Sequence, residues 1–190
     1  MLKQLMQPYI EEQGEELSLF AVEQAYAEKH NLLPEGVIVQ QKKFKFEVLE
    51  RCDKETEELI AEVEDSFLAT PIRYFKEHPK EFIYAATEEF DRIRTDAFAL
   101  EFDEAFENYT ALFAVALQKK YKTDIQAHLL SSLDLEQAKC SVAFNGQEGV
   151  WEMNIAIEAM DDFSEDLTLE QVFEKLYTFV FRLLEKIEAL

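Results

Sequence analysis

The chain has 190 residues, of which 40 are acidic and 19 are basic, giving a formal net charge of −21 at pH 7. So large an excess of acid repels phosphate backbones and anionic lipid headgroups, which argues against direct binding of nucleic acid or of a membrane surface. Because 48% of the residues are hydrophobic and 13% are aromatic, the acid belongs to a folded chain, and we expect residues 1–190 to form a single domain.

Cysteine usage and the lengths of the apolar segments indicate the compartment. Cys52 and Cys140 have no metal-binding spacing, and two cysteines are too few for a disulfide framework in a chain of this length. Residues 1–14 lack the apolar stretch of a signal peptide, and the longest purely apolar run, residues 111–117, is far shorter than the ~20 residues that span a bilayer. We therefore expect a soluble protein in the cytoplasm.

The first part of the chain predicts a helix, a strand and a second helix. Ser18 is suited to cap a helix that ends near Asn31. Residues 37–48 begin with β-branched side chains and continue with apolar side chains that alternate with charged ones, which is the period of a half-buried strand. A second helix is predicted from about Asp53, and it must end before Pro71.

The middle of the chain predicts a long helix. Thr70-Pro71 and His78-Pro79 each have the form of an N-cap followed by proline, so we expect a short helix, a break and a new helix. The lysine-rich segment 119–122 favours the negative pole at the end of that helix. Between Pro79 and this lysine-rich segment, apolar residues recur at spacings of three and four, which places them on one helical face: Phe98, Phe102, Ala105, Tyr109, Leu112 and Ala116.

The last part predicts a short helix, a β-hairpin and a final helix. Thr123 and Gln126 form a capping box that opens the short helix. Two runs then alternate apolar and polar residues, and the segment 145–149 with its two glycines joins them as a hairpin. The runs contain Ala138, Cys140, Val142 and Phe144, and then Trp151, Met153, Ile155 and Ile157. Thr168 and Gln171 form the capping box of the final helix.

These elements predict an α+β fold that is mostly helical. The C-terminal hairpin and one further strand would form a small antiparallel sheet packed against helices, because strands and helices do not alternate along the chain. Apolar residues cover more than one face of the final helix. That helix therefore lies either at the centre of the core, which we favour, or in a homo-oligomer interface.

No sequence pattern identifies a catalytic, cofactor-binding or metal-binding residue, so we expect no cofactor and lean against an enzyme. Carboxylates three residues apart, such as Glu88 and Asp91, occur often by chance when about a fifth of the residues are acidic. The loop from Asp162 has some oxygen ligands of a calcium-binding loop. However, Leu167 stands where glycine is needed and Phe173 stands where a bidentate glutamate is needed.

The distribution of charge is the remaining signal. Acid concentrates in residues 81–107 and 161–174, whereas lysine and arginine gather in residues 42–54. An acidic surface can dock a basic protein and steer its association. We predict that the partner-binding residues lie in the two acidic segments: Glu88, Glu89, Asp96, Glu101, Glu104, Asp161, Asp162, Glu165 and Asp166.

The function expected from these observations is that of a non-catalytic interaction module binding a basic protein partner, of the inhibitor, immunity, antitoxin or adaptor type. Mimicry of nucleic acid is one form of this function, in which rows of carboxylates occupy a site built for phosphates. The alternative is an enzyme or a small-molecule-binding protein with a site between the long helices and the hairpin. A third possibility is a structural homo-oligomer built through the final helix.

Overall fold

The computed structural model describes residues 2–14, 16–136 and 140–189, and it is rich in strands. The strands are β1 (Glu16–Leu19), β2 (Ile38–Gln41), β3 (Val48–Asp53), β4 (Leu59–Glu62), β5 (Glu81–Ala86), β6 (Ala97–Asp103), β7 (Asn108–Val115), β8 (Ser141–Asn145) and β9 (Val150–Ala156). The α-helices are α1 (Lys3–Gln13), α2 (Ala21–Lys29), α3 (Tyr74–Glu77), α4 (Lys122–Ser132) and α5 (Leu169–Glu188). Short 3-10 turns span Asp65–Ala69, Glu88–Ile93, Lys119–Tyr121 and Ile157–Ala159.

The main architecture is a seven-stranded antiparallel sheet in the order β4-β3-β5-β6-β7-β9-β8. Strands β1 and β2 form a separate, parallel two-stranded sheet. The predicted fold, mostly helical with a small sheet made of one hairpin and one further strand, is therefore wrong. Antiparallel strands build the main sheet, and the final helix covers one face of it.

The predicted long helix in the middle of the chain is the largest error. Its residues form β5, β6 and β7. In β6 the buried side chains are Phe98, Leu100 and Phe102, and in β7 Tyr109, Ala111, Phe113 and Val115 are buried. That is a period of two, and the spacings of three and four arose because residues from two strands and a turn were combined. Here β-branched and aromatic content and cross-strand packing decide the structure.

Several expected element boundaries also differ. Ser18 lies in β1, and the first predicted helix begins at Ala21. The region predicted as a second helix from Asp53 contains β4 and the 3-10 turn Asp65–Ala69. The strand expected over 37–48 is divided into β2 and the start of β3, and helix α1 was not predicted.

Of the two expected proline-initiated helices, only the short one has a counterpart, α3, which begins three residues after Pro71, and the helix expected after Pro79 does not form. Pro71 makes an isolated antiparallel bridge with Thr168, and Glu81, shortly after Pro79, begins β5. The lysine-rich segment 119–122 comprises the 3-10 turn Lys119–Tyr121 and the first residue of α4, so it lies at the N-terminal end of a helix. Helix α4 begins at Lys122, without the capping box predicted at Thr123.

Two local predictions are confirmed. Strands β8 and β9 form an antiparallel hairpin around residues 146–149. Of the expected strand positions, Ala138 lies outside the described residues, and Ile157 begins the 3-10 turn after β9. Thr168 caps α5 through a reciprocal capping box with Gln171, in which each side chain accepts a hydrogen bond from the other residue's backbone N–H.

The core lies between one face of the main sheet and the helices. Helix α5 is its centre, with Leu176, Tyr177, Val180, Leu183 and Leu184 all almost fully buried within one chain. It packs between α2, α4 and the 3-10 turns Asp65–Ala69 and Glu88–Ile93. We call the sheet face that these helices cover the inner face, and the space beyond it the helix side. Among the described residues, no helix combines the length and apolarity needed to cross a membrane.

Candidate functional site

None of the helices that the structure describes covers the second face of the main sheet, and we call it the outer face. Successive strand residues point to opposite faces, and directly paired residues share a face, so the register defines its members. They include Val48, Glu50, Tyr84, Ala86, Ala97, Ala99, Glu101, Asp103, Thr110, Leu112, Ala114, Ala143, Glu152 and Asn154, with Glu62 on the edge strand β4. The outer face is therefore continuous from β4 to β8.

Small and apolar side chains form the floor of the outer face. Tyr84, Ala99 and Leu112 lie in one cross-strand row, and Ala97 and Ala114 lie in the next. Tyr84 is 38% exposed. These residues line a shallow hollow of about 370 Å³. The floor gives a partner's apolar side chains a surface that they can approach closely.

A second hollow, of about 480 Å³, adjoins the first and shares Asn154 with it. It is lined by Thr110 of the outer face and by two exposed apolar residues from neighbouring loops, Phe106 (57% exposed) and Leu135 (40% exposed). Large apolar side chains at this exposure are typical of contact surfaces when they adjoin a further apolar patch.

The charge on the outer face is of one sign. Acids occupy strand positions Glu50, Glu62, Glu101 and Glu152, and Asp96 lies at the margin of the first hollow. No lysine or arginine occupies an outer-face position in β3 to β9, all of whose residues the structure describes. One lysine reaches the face from the β3–β4 turn, where Lys54 Nζ lies 3.2 Å from Glu101 Oε1.

The helix side holds three acids of a different kind, Glu23, Glu89 and Glu81, each of which is paired with a cation. Glu23 of α2 is fully buried, and its carboxylate accepts hydrogen bonds from Arg92 Nε at 2.6 Å, Tyr177 Oη at 2.6 Å and the Phe20 backbone N–H at 2.9 Å. Arg92 also stacks over the ring of Tyr9, 4.1 Å from its centroid. Burial raises the pKa of Tyr177, so its hydroxyl remains protonated and donates to Glu23.

A second buried pair lies next to the first. Lys42 Nζ is 3.0 Å from Glu89 Oε1 and donates to Tyr9 Oη at 2.7 Å, while the Thr87 hydroxyl donates to the other Glu89 oxygen. Burial alone would raise the pKa of Glu89, but the hydrogen bonds from Thr87 and Lys42 outweigh it and hold that pKa below its ordinary value. The carboxylate of Glu89 is therefore ionised and structural.

Arg51 and Glu81 form the third such pair, where β3 meets β5. The guanidinium donates two hydrogen bonds to the carboxylate, at 2.9 and 3.0 Å, and Tyr74 donates a third at 3.0 Å. Burial acts to raise the pKa of Glu81, and these hydrogen bonds overcome it and lower the pKa. Much of the base predicted to gather in residues 42–54 is thus used in ion pairs and does not form a separate basic edge.

The structure separates the predicted partner-binding residues. Asp96 and Glu101 belong to the outer face or its margin, and Glu104 lies exposed in the β6–β7 turn beyond the same end as Glu101. Glu88 and Glu89 lie in the 3-10 turn at the opposite end of these strands, and of these two Glu89 is buried.

The predicted residues of the second acidic segment lie in the loop before α5, on the helix side. Glu165 accepts hydrogen bonds from Lys76 Nζ at 2.7 Å and Tyr109 Oη at 3.2 Å, and Asp166 pairs with Arg73. Asp161 and Asp162 are exposed in the same loop. The two acidic segments therefore do not form one surface, and only part of the first contributes to the outer face.

Sequence reasoning missed Glu50, Tyr84, Leu112 and Glu152 as members of a surface. Their shared face follows from strand register, which became visible only once β5, β6 and β7 were known to be strands. The signal that could have found part of this face is the alternation of large apolar residues with small or polar ones in residues 97–103, whereas residues 111–115 are all apolar and show no such alternation.

Neither family models, nor curated proteins, nor solved structures provide a match to this chain. Among the described residues, no group of three or more histidine, cysteine, aspartate or glutamate side chains is arranged to hold a metal ion. The candidate site therefore has to be judged on its own geometry.

Proposed function

We propose that the protein is a non-catalytic interaction module that binds a basic protein through the outer face of its main sheet. One observation carries the proposal: the outer face combines an apolar floor with strand positions whose charged members are all acidic. A partner with apolar residues flanked by lysine and arginine would bury the floor and bring a base to each acid.

The acidic charge of the outer face favours a basic protein over a second copy of the chain, nucleic acid or an anionic membrane. A second copy of the chain would place acid against acid across the same face, since the face carries Glu50, Glu101 and Glu152 without a base in the strands. Nucleic acid and anionic lipid would meet the same repulsion. A basic protein segment gains from both the apolar and the electrostatic contact.

The dimensions of the floor fit a helix. Neighbouring strands lie about 4.8 Å apart, so the floor from β5 across β6 and β7 to β9 is about 14 Å wide. An α-helix with its side chains is about 10–12 Å across. The alanines at positions 97, 99 and 114 leave room for such a helix to lie close to the sheet. We therefore expect the partner to present an amphipathic basic helix.

The proposal is tested by capture from extracts of the native host with the full chain and a matched pair of variants. Ala99→Arg places a large cation on the floor, whereas Ala127→Arg makes the same change at an exposed position of α4. We expect Ala99→Arg to reduce capture of a basic partner by more than about tenfold and Ala127→Arg to leave it within about twofold.

Salt dependence gives the second readout. The wild-type complex should form at about 50 mM salt and weaken at about 500 mM, because screening removes the attraction between exposed charges. If capture is equally strong in both variants, or does not respond to salt, the proposal is wrong. Competition by nucleic acid for the captured partner would identify the mimicry form of this function.

A further inference from the structure

The proposed interaction does not use a cleft that lies between α4 and α5. It has a volume of about 440 Å³ and is open to solvent, with Phe179, Met160 and Leu167 as its apolar lining. A volume of this size accommodates a metabolite-sized ligand. The cleft lies on the helix side, so a site there would be independent of the outer face.

Two cations of α5, Lys175 and Arg182, line this cleft, and a third, Lys186, contacts its lining residue Ser131; no ion pair with a carboxylate is found for any of them among the described residues. Lys175 Nζ donates to the backbone carbonyl of Asp161 at 2.8 Å, and Lys186 Nζ donates to the Ser131 hydroxyl at 2.8 Å. No hydrogen bond or ion pair is found for Arg182 in the part of the chain that the structure describes. In a chain with 40 acids and 19 bases, bases left without an acid partner at one place are unexpected.

Arg182 and Lys186 lie one helical turn apart, at the end of the cleft where α4 supplies hydroxyl groups. The opposite end holds Asp161 and Glu174. Burial raises the pKa of Glu174, with the charge of Glu170 adding to the effect. Lys175 lies at that end too, where it donates to the Asp161 carbonyl, so the acids there are partly offset. The end with Arg182 and Lys186 carries base without an acid in the cleft lining, which would attract the charged group of an anionic ligand.

A buried histidine organises the basic end. His128 is 1% exposed; its Nε2 lies 2.9 Å from the carbonyl oxygen of Phe179, and its Nδ1 lies 3.2 Å from Ser132 Oγ. The carbonyl can only accept, so Nε2 carries the proton and Nδ1 accepts from the Ser132 hydroxyl. Burial, together with Lys186 and Arg182, lowers the pKa of His128 to about 4. The imidazole is neutral at pH 7, and the positive charge of this end comes from Arg182 and Lys186.

We propose that the α4–α5 cleft binds a small molecule through an oxyanion, a phosphate or a carboxylate, held by Arg182 and Lys186. The planar guanidinium of arginine presents paired N–H donors that match two oxygens of such a group. The apolar part of the ligand would lie along Phe179 toward Met160 and Leu167. The acids at the far end of the cleft favour this direction of binding over the reverse.

The test uses the full chain and four probes in calorimetry and ¹H–¹⁵N NMR titrations. Phenyl phosphate and phenylacetate carry the two oxyanions on an apolar body, inorganic phosphate lacks the body, and benzylamine reverses the charge. We expect one or both aromatic anions to bind, at least about tenfold more tightly than inorganic phosphate and than benzylamine, with shifts centred on Thr178, Phe179 and Arg182. Which aromatic anion binds more tightly distinguishes phosphate from carboxylate ligands.

Variants make the result specific. Arg182→Ala should weaken binding by at least about tenfold. Arg182→Lys should weaken it less, because lysine retains the positive charge but lacks the paired N–H donors of the guanidinium. Lys122→Ala removes one positive charge from an exposed position on the first turn of α4 and serves as the matched control, with no effect expected. Equal binding of benzylamine and the anions, binding that survives Arg182→Ala, or no binding of either aromatic anion at millimolar concentration would overturn the proposal.

Discussion

The outer face and the helix side of the main sheet carry the same kinds of acid in opposite states. On the helix side Glu23, Glu81 and Glu89 each meet a cation and further hydrogen-bond donors. On the outer face, Glu50 and Glu152 form no ion pair with any residue that the structure describes. Pairing therefore separates acids that hold the fold together from acids that are available to a partner.

The difference also explains what the net charge means. A formal charge of −21 does not distinguish structural from available carboxylates. The fold does so by directing Arg51, Lys42 and Arg92 toward the helix side, while Lys54 of the β3–β4 turn pairs with Glu101 on the outer face and none of the described ion pairs includes Glu50 or Glu152. Removing a helix-side acid should therefore cost stability, whereas changing an outer-face acid should alter binding and leave the fold intact.

The largest expected effect comes from Glu23→Ala. The variant leaves the guanidinium of Arg92 largely buried with no carboxylate, and it removes the acceptor of Tyr177. We expect the free energy of unfolding, measured by urea titration, to fall by about 3–5 kcal/mol. Glu28→Ala, at an exposed position on the same helix, is the control and should change it by less than about 0.5 kcal/mol. Equal losses in the two variants would show that the buried pair is not structural.

Lys42→Met should give an intermediate effect that depends on pH. At pH 7 we expect a loss of about 2 kcal/mol, because Glu89 would be left ionised beside an apolar side chain. The folded-state pKa of Glu89 is lowered, so its stabilising contribution is fully present above its ordinary value of 4.5 and is lost as the pH falls through the folded value. The difference between wild type and variant in urea titrations should therefore shrink below pH 4.5. A difference that stays constant down to pH 2 would contradict the pairing.

The smallest change in the free energy of unfolding is expected for a substitution on the outer face, where it should be an increase. Glu62 of the edge strand lies directly opposite Glu50, and like charges at paired positions destabilise a sheet. Glu62→Lys should raise the free energy of unfolding by about 0.5 kcal/mol at low salt, with a smaller gain for Glu62→Gln. A loss of stability in the lysine variant would mean that outer-face acids are structural after all.

The sequence predicted the β8–β9 hairpin and missed the β6–β7 hairpin, although their turns share one geometry. Asn145 accepts hydrogen bonds from the backbone N–H groups of Gln147 and Glu148, and Gly149 follows at φ 75°. Asp103 accepts from the two corresponding N–H groups, of Ala105 and Phe106. The left-handed position there is Glu107, at φ 53°, so no glycine marks the turn.

The β3–β4 turn repeats the pattern and was missed for the same reason. Asp53 accepts from the N–H groups of Glu55 and Thr56, and Glu57 adopts φ 58°. A glutamate in the left-handed region is uncommon, and tertiary pairing of the flanking strands holds it there. Because no glycine marked the β6–β7 turn, the spacing of apolar residues in 81–117 resembled that of a helix.

The acidic character of the candidate surface could be predicted from the sequence, and its location could not. The excess of acid in residues 81–107 predicted an acidic surface, and Asp96 and Glu101 do lie on or beside the outer face. The separation of Glu101 from the buried Glu89 depends on strand direction and register, which no local pattern encodes.

Site-specific photocrosslinking tests the central claim most directly. A photoreactive phenylalanine analogue would be placed at position 99 or 112 on the outer face, or at position 127 on the exposed side of α4, in the full chain. At low salt we predict crosslinks to a basic partner from positions 99 and 112 and none from position 127. Crosslinks to that partner from position 127 without any from 99 or 112 would contradict the assignment of the outer face as the binding surface.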